Sequence, residues 1–425
     1  MSEGVSTRVG VLGSSAQALV DAHGAVRPDG APWQVDWWIG ADDRWHVPAR
    51  EAALRQSLVG AAPVVETSLR VPGGDAVHRV YGIGGPGGLV ALEIENASAA
   101  PFVAALVLGP ARGGRLREVA TSRSWVTVGG HPALRTPRPA TRWAAGLSGE
   151  TLETVVEGRA ERGVFPGVRR RGMRLEVALL HPLAHRTRLR CALAVGRDRS
   201  VRVDAVDLSL LPDAHVAAAG WAAHLRRGMQ AVLPDHRLQQ AVYAARAALL
   251  LGADSATRPR AEEVAALEDW GFDDEAAAGW RRLGIRERRR AAQRTPDPNP
   301  WETIQARLRA TSPTFTWPDG PAPFLRAVRD LLVGPSDEGS VTLLTRFPAG
   351  WRGQGLDVRE APTRAGRVSY SVRWHGPRPA LLWECERPIR LTAPGLDRAW
   401  STTEARGEAL LAGPTDQARD AGSFS

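Results

Sequence analysis

The sequence predicts a multidomain α+β protein: a large antiparallel β-sandwich, a short helical region and a small C-terminal antiparallel β domain. Three observations carry this. Short alternating apolar runs, punctuated by Gly, Pro, Asn and Asp, fill residues 7–210 and predict a β super-sandwich. Apolar residues switch to three- and four-residue spacing over 213–333, a truncated helical region. Alternation returns over 339–412, and residues 413–425 read as a disordered tail.

In the first part, Val64–Val71 alternates, and Pro72, Gly73, Gly74 and Asp75 turn the chain into Val77–Tyr81. Gly82–Gly88 supplies another turn. Leu89–Glu95 (LVALEIE) is a period-two strand and Phe102–Leu108 a more apolar one. The polar residues after Asn96 predict a strand, a short turn and a return strand. Ser124–Val128, Leu175–Leu179, Arg188–Val195 and Val201–Val206 bring the series to around ten strands, enough for two stacked sheets.

Asp213 can cap a helix running to Met229, with Val216, Trp221, His224 and Leu225 at helical spacing. A second helix starts after Pro234 and Asp235, carries Leu238, Val242, Ala245 and Leu249 on one stripe, and ends at Gly252. Ala261–Trp270 stops at Gly271. Asp273–Leu283 opens on acids that suit a helix N-terminus and stops at Gly284. Arg286–Pro300 reads as a short helix entering an exposed linker, Trp301–Arg309 as a helix, Pro313–Pro323 as loop, and Phe324–Val333 as the last helix. Beyond residue 339, VTLLTRF, LDVREA, RVSYSVRW, ALLWECE, IRLTA and EALLA give five or six strands, joined by turns such as PTRAG, HGPRP and APGLDR.

Composition narrows the class. No run of 18 apolar residues exists, so no transmembrane helix and no membrane partner are expected. The first residues lack a basic start followed by an apolar stretch, which predicts a cytoplasmic chain. Cys191 and Cys385 lie far apart and are expected as free buried thiols. Net charge is +9, yet all 55 basic residues are arginine, whose high pKa lifts the isoelectric point. The runs Arg169–Arg171 and Arg286–Arg290 carry no interleaved aromatics, so nucleic acid is not expected as a partner.

From Val341 the chain resembles the C-terminal β domain of (α/α)6-toroid glycoside hydrolases and phosphorylases, the six-hairpin glycosidase-like group. The likeness rests on Leu343 and Leu344, Pro348, Gly350 and Trp351, Gly355 to Val358, Gly366 to Val368, and Val372 to Gly376. The order of super-sandwich, helices and small β domain is similar as well. The resemblance implies a carbohydrate-related scaffold. Such a toroid uses about twelve helices, whereas about 120 residues separate Asp213 from Val333. At about 1.5 Å of rise per residue they cannot close that double ring, and no catalytic motif of the family is matched here.

Candidate site residues fall in two places. Fifteen tryptophans offer flat apolar faces of the kind that stack on sugars. The densest cluster holds Trp33, Asp36, Trp37, Trp38, Asp42, Asp43, Trp45 and His46. It reads as a sugar-binding groove, or equally as an aromatic core strand with an Asp42–Asp43 turn. Glycoside cleavage needs two carboxylates roughly 5–10 Å apart. Asp36 with Asp42 or Asp43 is one candidate grouping. Glu268 or Asp269, beside Trp270 as an aromatic platform, with Asp273 or Asp274 across the Gly271 turn is the other. Glu268 and Asp269 are adjacent on a helix and cannot face one another; these acids could equally be solvated first-turn charges.

No metal and no cofactor are expected. His181 and His185 are four apart without a third ligand nearby. Gly82–Gly88 has no lysine and no helix behind it, so it is not a phosphate loop. No nucleophile elbow GxSxG is present. The leading expectation is a noncatalytic or unassigned carbohydrate-related protein, with a glycan, a glycosylated metabolite or a partner protein as the ligand of the tryptophan-rich segment. The alternatives are a glycoside hydrolase or phosphorylase whose site a homo-oligomer completes, and a structural assembly protein.

Overall fold

Period-two burial sets the architecture of the first half. Val35, Trp37 and Ile39 point inward from Trp33–Gly40, as do Ala104, Leu106 and Leu108 from Phe102–Pro110 and Val177 and Leu179 from Leu175–Leu183. They meet Leu69, Val80, Leu92, Ile94 and Leu193 of a second strand set in one core. The computed structural model describes residues 6–84, 88–122, 125–170, 174–195, 206–253, 258–293, 295–336 and 339–414. It divides the chain into two compact units, one ending at Trp221 and one beginning at Ala222.

In the first unit the strands form two nine-stranded antiparallel sheets. One sheet runs in the order Thr7–Gly10, Gln17–Val20, Val26–Pro28, Trp33–Gly40, Phe102–Pro110, Leu175–Leu183, Arg142–Leu147 and Glu161–Arg162, with Trp45–His46 also paired to Trp33–Gly40. The other runs Val168–Arg169, Glu118–Ser122, Trp125–Val128, His131–Arg135, Arg188–Ala194, Leu89–Asn96, Gly74–Ile83, Val64–Val71 and Leu54–Leu58.

Leu89–Asn96 and Phe102–Pro110 are not neighbours in one sheet, which corrects the simple return expected there: the chain crosses to the opposite sheet. Asn96 makes the corner. Its amide donates to Ala100 O at 2.9 Å and Leu183 O at 3.1 Å, and its side-chain oxygen accepts from Ser98 N. A polar side chain thus satisfies the backbone that the crossing takes out of the ladder.

The outer face of the first sheet is buried as well. Helix α1 (Glu150–Val156) lays Leu152 and Val155 over Trp38, Ala105, Val107, Ala144, Ala178 and Leu180. The strand reading of this region misses α1, because seven residues hold too few turns to show a period.

The second unit begins inside α2 (Ala214–Leu225). It continues through α3 (His236–Ala253), α4 (Ala261–Asp269), α5 (Asp273–Leu283), α6 (Ile285–Ala292), α7 (Pro300–Ala310) and α8 (Ala322–Leu332). These follow the periodic spacing closely. Phe324, Val328, Leu331 and Leu332 of α8 are all fully buried, and Gly271 and Gly284 stop their helices with positive φ.

Two sheets complete this unit. A five-stranded sheet has the order Gln230–Val232, Leu356–Thr363, Gly366–His375, Arg378–Cys385, Arg406–Leu410. A four-stranded sheet has the order Val333–Ser336, Ser340–Leu343, Arg390–Ala393, Asp397–Thr402. Pairing is antiparallel except between Ser340–Leu343 and Arg390–Ala393, which run parallel. Val333 begins a strand and does not end a helix. Asp397–Thr402 is a strand where a turn is expected at its start, and Gln230–Val232 is a further strand that the pattern does not show. Gln230–Val232 is short and Val333–Ser336 holds Gly and Pro, so local rules score them as punctuation; Asp397 and Arg398 read as the end of the APGLDR turn.

Cys191 and Cys385 are buried and free. No described helix is long and apolar enough to cross a membrane. Of the expected elements, residues 201–205, 85–87, Ser124 and the tail 415–425 lie outside the described residues.

Candidate functional site

The tryptophan-rich segment folds as a strand that buries both of its sides. Trp37 is 1% exposed; its indole donates to His23 O at 3.0 Å and its ring meets His78 at 5.0 Å. Gly24, at φ +89°, leaves the room, since a Cβ there would sit 2.8 Å from Trp37 Nε1. Trp38 is buried on the opposite face, beneath α1. Trp33 and Trp45 are half-buried, and the Trp45 ring lies over Gly40. Flat stacking needs exposed ring faces, so Trp37 and Trp38 are core residues, a correction to the groove expected here.

The turn that follows is an ion cluster. Asp43 Oδ1 lies 3.0 Å from Nε2 of the buried His46, and Glu51 takes both Arg44 guanidinium nitrogens. His46 holds the Asp43 carboxyl below the usual range, and Arg44 does the same for Glu51. Asp42 is exposed.

Asp36 points to the α1 side of the sheet, toward Glu176. The two sit diagonally across three strands: Asp36 is opposite Val107, and Val107 is opposite Ala178, two residues from Glu176. Asp36 Oδ1 accepts from Trp37 N at 2.8 Å, and Glu176 Oε2 accepts from the Ser148 hydroxyl at 3.2 Å. Burial pushes the Asp36 carboxyl up to about 7, with the charges of Asp21 and Glu176 adding to the rise. Burial raises Glu176 as well. The acids that Asp36 senses are therefore Asp21 and Glu176, and neither Asp42 nor Asp43 plays that part. The sheet register puts Asp36 and Glu176, far apart in sequence, on one face.

A pH prediction follows. Unfolded, Asp36 titrates near 3.8; folded, near 7. Between those values the folded state holds the extra proton, so stability falls as pH rises and the full cost is present above 7. Asp36→Asn is expected to raise Tm by about 2–4 °C at pH 8 and to leave it unchanged at pH 4. Thermal melts at both values check this; an equal shift at both pH values would show that the effect is not titration.

The second unit holds a cleft of about 600 Å³. Glu268 and Asp269 line it from the end of α4, Trp280 from α5, Arg288 from α6, Arg329 and Asp330 from α8, and Arg364 from the turn after Leu356–Thr363. Trp280 Nε1 donates to Glu268 Oε2 at 2.9 Å, and Arg288 donates to Glu268 Oε1 at 2.6 Å. The nearly buried Arg329 donates to the carbonyls of Asp269, Val333 and Pro362. Asp330 Oδ2 accepts from Asp297 N at 3.0 Å.

Glu268 and Asp269 thus share a cleft, as their chemistry suggested, but the third acid is Asp330. Asp273 instead faces Arg367 at 3.0 Å, and neither it nor Asp274 lines the cleft. Trp270 is 0% exposed, with its indole donating to Leu325 O, so it is a core residue and not an aromatic platform. Asp330 lay in an apolar helix stripe, where a single acid carries no sequence signal. Among the described residues no group of three or more His, Cys, Asp or Glu could hold a metal ion. No known family model matches this chain, and no curated protein is detectably similar to it.

Proposed function

We propose that the protein is a noncatalytic carbohydrate-related binding protein, and that the cleft of the second unit takes a neutral polyhydroxylated ligand. One observation carries this reading: three carboxylates (Glu268, Asp269, Asp330) and three guanidiniums (Arg288, Arg329, Arg364) line one concave surface together. A simple anion or cation entering it would meet like charge as often as opposite charge. Hydroxyl groups both donate and accept, and so can pair with each in turn.

Binding is favoured over cleavage because both oxygens of Glu268 are already engaged, by Trp280 and Arg288. The carboxyl with a near-neutral pKa, Asp36, belongs to the other unit. The order of sandwich, helices and β domain supports a shortened relative of the toroid glycosidases. Among the described residues seven helices lie between Ala214 and Leu332, against about twelve in a closed toroid.

Calorimetric titration with a panel of neutral mono- and oligosaccharides tests the reading. At least one is expected to bind, and Arg364→Ala and Glu268→Gln are each expected to weaken it about tenfold, or ~1.4 kcal/mol. No saturable heat with any neutral sugar would sink the proposal. A hydrolase reading is favoured by Asp36 and Glu176 alone, two carboxyls on one face that both titrate high. Turnover of an aryl glycoside that disappears in Asp36→Asn and Glu176→Gln would replace the binding reading with that one.

A further inference from the structure

Three connections cross between the two sheets at one end of the sandwich: residues 97–101, 136–141 and 184–187. They enclose an open groove of about 580 Å³, the size of a small-molecule site. Its floor is the end of the sandwich core, where Leu183 and Leu189 are 3% and 2% exposed. Pro101, Pro137 and Pro182 stand exposed around it. Proline has no N–H and a fixed φ, so these walls are apolar and stiff.

Hydrogen bonds hold the connections in place. Arg186 N donates to Asn96 O at 2.9 Å, and His185 Nδ1 donates to Ser98 O. The Asn96 amide donates to Leu183 O at 3.1 Å, and the Thr187 hydroxyl to Ala184 O at 2.7 Å. The groove is thus formed before anything enters it, which lowers the cost of binding there.

The polar groups of the lining are one-sided. The carbonyls of Pro182, Leu183 and Ala184 already accept, from Arg138, Asn96 and Thr187. The charged side chains lining the groove are Arg138 and Arg188, and among the described residues no carboxylate lines it. Arg188 is matched by Glu93 and Glu95, at 3.5 and 3.2 Å. Arg138 gives one N–H to Pro182 O at 2.7 Å and pairs with no carboxylate among the described residues. A guanidinium carries five N–H donors, in a fork that fits a carboxylate at two points. One unmatched cation at the rim of an apolar floor complements a molecule with one negative end and an apolar body.

We propose that this groove is a binding site, separate from the cleft of the second unit, for a small monocarboxylate with an apolar body. The carboxylate sits on Arg138, and the body lies along Leu183 and Leu189 between the prolines.

Calorimetric titration of the full chain with octanoate, octanol and octylammonium tests it, since the three share one apolar chain and differ in the charge of the head. Octanoate is expected to bind about tenfold more tightly than octanol, a gain typical of one charge-assisted contact. Octylammonium is expected to give no saturable heat. Arg138→Gln, a change at an exposed position, is expected to bring octanoate down to the level of octanol. Ala184→Trp, on the exposed rim, is expected to abolish binding of both, its fold checked by circular dichroism. Should that variant fail to fold, Ala184→Phe is read the same way. Three results overturn the proposal. Octanoate that does not bind wild type leaves no site. Octanoate that binds Arg138→Gln as tightly as wild type leaves only an apolar groove. Unchanged binding in the folded Ala184 variant places the ligand elsewhere.

Discussion

Trp270→Ala is expected to destabilise the second unit by ~3–5 kcal/mol, the range for removing a large aromatic from a packed core. The ring is 0% exposed, its N–H donates to Leu325 O at 3.1 Å, and the Arg246 guanidinium stacks on it at 5.3 Å. Alanine removes the packing and the hydrogen bond to the Leu325 carbonyl and takes one aromatic face from Arg246. Urea unfolding followed by tryptophan fluorescence and far-UV circular dichroism reads the loss. The outcome that sinks this assignment is a variant with wild-type unfolding that has lost only ligand binding. Trp270 would then be the platform that its acidic neighbours suggested.

Arg246 gives the second large effect, and its sign depends on the replacement. Its side chain is 1% exposed, and no carboxylate pairs with it among the described residues. Arg246 Nη2 donates to Leu225 O at 2.5 Å, and the guanidinium lies 5.2–6.0 Å from the rings of Tyr243, Trp270 and Phe272. Burial lowers its pKa to about 10. Aromatic faces replace part of the lost hydration, yet Nε remains without a partner.

Arg246→Ala leaves a void among three rings and is expected to cost ~2–4 kcal/mol. Arg246→Met fills most of that space without a buried charge and is expected to fall within ~1 kcal/mol of wild type or above it. Denaturant midpoints of the two variants decide the matter. Equal losses in both would show that the charge, and not the volume, holds the box together. Because Arg246 and Trp270 touch, their double variant should lose less than the sum of the singles.

The fold class was legible because it rests on period. Asp273–Leu283 carries its own start and stop signals, and the structure ends it at the same residues. Leu89–Asn96 alternates and is a strand. What period cannot supply is which sheet a strand joins, so the crossing at Asn96 was hidden, as were strands of three or four residues such as Gln230–Val232.

The site was legible only where its residues are adjacent in sequence. Glu268 and Asp269 do line a cleft. Asp330 and Arg364 join them through tertiary folding, and two strand registers put Glu176 on the same sheet face as Asp36. Tryptophan density misled for a physical reason. Trp37 and Trp38 alternate faces in a sheet covered on both sides, so each of them meets protein where an edge or open sheet would have left one in water.

The three residues Gln230–Val232 pair with Leu356–Thr363 more than a hundred positions later. That ladder knots the start of the helices to the start of the terminal sheet. A fragment cut near residue 335 would keep one half of the ladder with its amides bare, and a fragment begun there would lack an outer strand. The ladder therefore ties the residues on either side of position 335 into one piece, which expression trials and limited digestion should each find intact or not at all.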